Sequence, residues 1–95
     1  MLRLMIVDDE QIIREALSEM VDYQSIGYEL VATAKNGMEA LDTIRDEYPD
    51  VVVTDIRMPF INGLELIDRS RKSDSNITFV LLSGYGEFEY AKEAM

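Results

Sequence analysis

The apolar residues of this chain fall into four short runs, each ending in polar or small residues: Leu2–Val7, Leu30–Ala34, Val51–Thr54 and Ile77–Leu82. Continuous runs rich in Val, Ile and Leu are the mark of parallel strands covered on both faces. Between them the apolar spacing changes to that of helices. Over Glu10–Tyr23 the positions Ile12, Ile13, Ala16, Leu17, Met20 and Val21 form one stripe, with acids and Arg14 on the other side. Asp8 or Asp9 is a natural N-cap for that helix. A second helix is predicted after Asn36, with Met38, Leu41 and Ile44 on its apolar side. Asn36 and Glu39 there resemble a capping box, and Pro49 closes the unit. A third helix starts after Asn62-Gly63 with Leu64, Leu66 and Ile67, and Arg69, Arg71 and Lys72 suit its C-terminal end. Phe88, Ala91 and Met95 predict a fourth over Glu87–Met95. Met5, Met20 and Met38 are expected to fill the core.

The order β-α-β-α-β-α-β-α, with no linker or repeat, predicts an α/β fold. Its sheet is parallel, with helices on both faces and right-handed crossovers. Composition narrows the function. The 95 residues carry 19 acidic and 9 basic side chains, a formal charge of −10. That balance disfavours direct contact with a nucleic-acid backbone or an anionic membrane. There is no cysteine and no histidine, which excludes thiolate metal sites, a Ser-His-Asp triad and a phosphohistidine on this chain. No stretch approaches the roughly 20 apolar residues of a membrane span, and no export signal is legible, so a cytoplasmic location is expected.

In open parallel sheets, function gathers at the carboxyl ends of the strands. The first run ends in Asp8-Asp9-Glu10, the third in Asp55 followed by Ile56-Arg57-Met58-Pro59, and the fourth in Ser83-Gly84. Neighbouring parallel strands would bring Asp8, Asp9 and Asp55 to one rim. Three carboxylates there repel one another unless a cation enters. Oxygen-only ligands suit Mg²⁺, which takes one or two carboxylates and keeps several waters. A carboxylate beside such an ion is an available nucleophile for phosphoryl transfer, and the Ser83 hydroxyl could bond a phosphoryl oxygen. Each feature alone has a plainer explanation: an acidic pair caps a helix, an Asp before a Pro forms a turn, and Ser-Gly is a loop. The constellation of three strand ends is what points to a Mg²⁺-dependent phosphoryl site.

These residues resemble a known family. Asp8-Asp9-Glu10, Asp55-Ile56-Arg57-Met58-Pro59 with Gly63 eight positions after Asp55, Val31–Leu41 and Ser83-Gly84 are similar to the receiver domain of bacterial two-component response regulators. Ser83–Ala91 resembles receivers linked to AraC-type helix-turn-helix outputs. The resemblance implies a flavodoxin-like, CheY-like doubly wound sheet of order 2-1-3-4-5. Residues 1–95 would be an incomplete receiver domain, order 2-1-3-4, with the fifth strand, its lysine and the fifth helix missing. It further implies that Asp55 is the phosphoacceptor and that Ser83 is the switch hydroxyl. Asp8, Asp9, Asp55 and the main-chain carbonyl of Arg57 would be the Mg²⁺ ligands. The implied partners are a sensor histidine kinase, a second copy in the intact protein, and DNA only through a separate output domain. Such a protein accepts a phosphoryl group on itself and is not a turnover enzyme.

Two other classes compete with this one. A receiver-shaped interaction module without phosphorylation would have no use for three converging acids, but it stays the alternative for a chain truncated before the fifth strand and its lysine. A phosphohydrolase of the haloacid dehalogenase type would place its nucleophile in an Asp-x-Asp after the first strand, whereas here the pair is adjacent and Asp55 follows the third.

Overall fold

The computed structural model describes residues 1–73 and 76–82. Its elements are β1 (Leu2–Val7), α1 (Gln11–Glu19), a single 3-10 turn (Gln24–Ile26), β2 (Tyr28–Ala34), α2 (Gly37–Glu47), β3 (Val51–Asp55), α3 (Gly63–Arg71) and β4 (Thr78–Leu82). The helix expected over Glu87–Met95 lies outside the described residues. All strand pairs are parallel, as the alternating pattern predicts, and their order is β2-β1-β3-β4, the one the resemblance implies. β2 carries one extra residue, Val31, between the partners of Leu4 and Met5.

Alternation along the strands divides the interior. Met5, Val7 and Val52 join Ala34 in one cluster with Ala40 and Ile44 of α2, Leu66 of α3, and Met58, Ile61 and Ile77. Leu4 and Ile6, pointing to the opposite face, are buried as well. The strand ends remote from the acids are tied together. Arg3 N–H donates to Asp50 Oδ2 and Asp50 N–H to the Arg3 carbonyl, both at 2.8 Å. Thr78 N–H then donates to the Asp50 carbonyl at 2.9 Å, and the Arg3 guanidinium reaches Glu47 Oε2 at 2.9 Å.

The two central helices begin alike, with Asn-Gly-x-Glu. Asn36 Oδ1 accepts the Glu39 N–H and Asn62 Oδ1 accepts the Glu65 N–H, each at 2.8 Å. Each cap satisfies one of the amides that a helix start leaves without a partner. In α2 the buried residues are Gly37, Ala40 and Ile44; of the expected Met38, Leu41 and Ile44, Ile44 is buried, Leu41 packs partly buried against the core and Met38 is not inward. Gly37 sets this rotation: a Cβ there would lie 2.7 Å from Cβ of Ile61. The bare backbone therefore faces the β3–α3 loop, and Met38 turns outward, 55% exposed.

The first helix departs further from expectation. It ends at Glu19 rather than reaching Tyr23, and it contains no buried residue. Its half-buried side is Arg14, Ala16, Leu17 and Ser18, while Ile12 and Met20 are each 82% exposed and Ile13 and Val21 are also exposed. Met20 and Met38 are thus not core residues; Met5 is. The apolar stripe is wider than the surface available to it, and two bonds fix which arc faces inward. Arg14 is drawn to the end of β1, and the Tyr23 hydroxyl donates to the Leu17 carbonyl.

Candidate functional site

β1 and β3 are adjacent and in register from Leu4–Val51 to Val7–Thr54, so the residues that follow them emerge side by side. Carboxylate oxygens of Asp8, Asp9 and Asp55 all lie within 4.8 Å of one another, as the strand-end argument predicts. The three differ in environment. Asp8 is 2% exposed, Asp55 is half-buried and Asp9 faces solvent.

Asp8 is held at several points. Its N–H donates to the Ala34 carbonyl at 3.1 Å, continuing the β1–β2 ladder by one residue. Its Oδ1 accepts the Glu10 N–H at 2.9 Å, and its carbonyl accepts from Arg14 Nη1 at 2.8 Å. The α1 N-cap is Glu10, whose side chain makes no capping bond among the described residues. The expected capping by Asp8 or Asp9 is therefore replaced by a turn that closes on Asp8 before the helix begins. Arg14, expected on the solvent face, belongs to the site's support. Its position six residues after Asp8 was the available signal, because a long cation in the first turn of a helix can reach back to the strand it follows.

Asp55 is fixed through its backbone. The Thr54 hydroxyl donates to the Asp55 carbonyl at 3.0 Å. Gly63 N–H donates to the Ile56 carbonyl at 2.7 Å, which brings the start of α3 against the end of β3. Between them, Asp9, Arg57, Met58, Pro59 and Asn62 line an open cleft of about 560 Å³. Arg57 is exposed on this rim. Phe60, next along the loop, is 90% exposed with φ +68°, and sequence reading gave no signal for it. Ser83, the fourth-strand residue expected at the site, lies outside the described residues.

The arrangement offers hard oxygen donors of graded burial, backed by fixed backbone and open to solvent on one side. That donor set fits a small divalent cation such as Mg²⁺, and its accessible carboxylates leave room for a reacting group. A parallel α/β sheet with paired acids just beyond the first strand and a third acid at the end of the neighbouring strand is the arrangement of a receiver-type signalling domain. The family model for the response regulator receiver domain matches residues 4–95, and the chain belongs to that family.

YesN, a transcriptional regulatory protein of Bacillus subtilis, is 42% identical over 95 residues, all of this chain and 26% of its own length. The receiver domain of AraT, a response regulator from Geobacillus stearothermophilus, is 39% identical. It superposes with a TM-score of 0.89 over 98% of this chain and 72% of that one. A two-component transcriptional regulator AraC from Clostridium phytofermentans is 33% identical, with a TM-score of 0.92 over 100% and 74%. The chain spans 26% to 36% of the length of the curated relatives it matches. Among the described residues no helix is long and apolar enough to cross a membrane.

Proposed function

We propose that this receiver domain is a phosphorylation-controlled switch in which Asp55 is the acceptor. A carboxylate oxygen of Asp55 attacks phosphorus of a phosphohistidine on a partner sensor kinase. The new O–P bond replaces the N–P bond, the imidazole leaves with the electron pair, and Asp55 becomes an acyl phosphate. Asp8, Asp9, Asp55 and the Arg57 main-chain carbonyl would hold Mg²⁺, with Ser83 as the hydroxyl that meets the phosphoryl group. Mg²⁺ would supply charge neutralisation at the phosphoryl oxygens. Asp8 and Asp9 are acids suited to ligation, and the open cleft beside Arg57 admits the donor side chain. The domain changes its own state and turns over no substrate.

The observation that carries this reading is the convergence of three carboxylates within 4.8 Å at the ends of adjacent parallel strands. The names of the relatives support an output in transcription; DNA binding by a separate domain, a homodimer in the intact regulator and a cytoplasmic setting belong to the same proposal. Incubation of the chain with Mg²⁺ and acetyl phosphate tests the chemistry. One phosphoryl group should appear by mass spectrometry, be absent without Mg²⁺, and be absent from Asp55→Asn. Equal labelling of Asp55→Asn and wild type would refute the acceptor assignment.

A further inference from the structure

We propose that Arg14 is a positioning residue for the acidic rim, acting through the backbone of Asp8. The inference rests on the Mg²⁺ reading of that rim. Asp8 is the first residue beyond β1, where the ladder to β3 has ended at Val7–Thr54. Its N–H is taken by β2 through Ala34. Its carbonyl sits in a residue that is 2% exposed, and a buried carbonyl must find a donor. Arg14 Nη1 supplies one at 2.8 Å. The same helix returns a second contact to this residue, because Asp8 Oδ1 accepts the Glu10 N–H, and the Glu10 carbonyl in turn accepts the Arg14 N–H at 2.9 Å. Asp8, Glu10 and Arg14 thus close a ring of three bonds that fixes the Asp8 carboxylate and sets the direction in which Asp9 leaves the strand.

The ring explains the orientation of α1. That helix buries no side chain, yet it turns a guanidinium inward and leaves Ile12 in solvent. Hydrophobic burial alone does not select this arc, because the apolar stripe is wider than the face that is covered. The guanidinium turned inward makes a charge-assisted bond to the Asp8 carbonyl, which an apolar side chain in its place would not supply.

Position and charge predict opposite effects on cation binding. A guanidinium near three carboxylates repels a divalent ion, so by charge alone its removal tightens binding. If Arg14 instead holds the ligands in place, its removal weakens binding, by about ten-fold at the low end of what loss of an outer-shell partner costs. Titration of the chain with Mg²⁺, followed by calorimetry at fixed ionic strength, distinguishes the two. Arg14→Ala should bind about ten-fold more weakly. Arg14→Lys, which keeps a donor for the Asp8 carbonyl, should recover most of the loss. Ser18→Ala, which loses only a bond to the Arg14 carbonyl, should bind as wild type does.

Binding by Arg14→Ala equal to or tighter than wild type would overturn the proposal, as would a lysine variant as weak as the alanine one. Hydrogen exchange of the Glu10 amide in metal-free protein gives a second readout that survives failure of the Mg²⁺ reading. Exchange should accelerate in Arg14→Ala and not in Ser18→Ala, and equal rates in the two would also overturn it. Absence of binding in the wild type itself would refute the Mg²⁺ reading and leave the exchange comparison to decide the role of Arg14.

Discussion

Gly63 lies directly against the carbonyl oxygen of Asp55: a Cβ at position 63 would overlap that oxygen and come within 3.0 Å of the Ile56 Cα. The glycine is buried in the first turn of α3, and its φ is not of the kind that favours glycine. Its absent side chain is what allows the helix to close on the strand end. The candidate acceptor is therefore located by a contact between two backbones, with the Thr54 hydroxyl on the same carbonyl.

Gly63→Ala should destabilise the fold by about 1–3 kcal/mol, as overpacking of a close-fitted interior does. It should also move Asp55 and lower the rate of labelling by acetyl phosphate. Urea unfolding and the labelling assay measure the two effects separately. Gly37→Ala, which would press on Ile61, should cost a similar amount of stability. Unchanged unfolding midpoints in both variants would contradict the packing described for these helix starts.

Two large residues hold left-handed backbone, Tyr48 at φ +50° and Phe60 at φ +68°. Both are exposed, so neither conformation is repaid by burial of the ring. Tyr48 caps α2, where asparagine or glycine is favoured. Tyr48→Asn and Phe60→Asn should each raise stability by about 0.5–1 kcal/mol, since asparagine tolerates this region with less strain. Thermal unfolding checks it. A fall in stability for Phe60→Asn would mean that the ring makes a contact worth more than its strain.

Partial burial raises the Tyr23 hydroxyl above its ordinary value of 10.0, and the neutral hydroxyl donates to the Leu17 carbonyl. The protonated form is therefore the one the fold prefers. Its contribution is complete below the unfolded value of 10.0 and declines as pH rises from there through the higher folded value. Tyr23→Phe should lose about 1 kcal/mol near neutral pH, the usual worth of one such bond. The gap between wild type and variant should narrow in alkali, as read by urea unfolding between neutral pH and the range above 10. A gap that stays constant there would place the hydroxyl outside the stability of this corner.

The strands and their chemistry were legible for one reason: runs such as Leu2–Val7 and Val51–Thr54 are apolar throughout, so their ends are sharp and the acids at those ends stand out. The orientation of the helices was not legible in the same way. An apolar stripe shows that a helix has an inner side, but when the stripe is broad it leaves the choice of arc open. In α1 that choice is made by Arg14 and the Asp8 carbonyl. In α2 it is made by Gly37, which has no side chain to contribute to any pattern. The cap of α2 could be read from Asn36 and Glu39. The identical spacing of Asn62 and Glu65 carries the same meaning at the start of α3. The distinct burial of the three acids depends on the loops around them, and no residue count along the chain conveys it.

The knot of Arg3, Asp50 and Thr78 joins three strands at the end opposite the acids. Alignment of the strands is decided there, in a place that contributes nothing to the chemistry. Substitutions at exposed positions of the rim can consequently change its surface while β1, β3 and β4 keep their neighbours. A change at the knot itself would shift β3 and β4 against β1 without touching a residue of the rim.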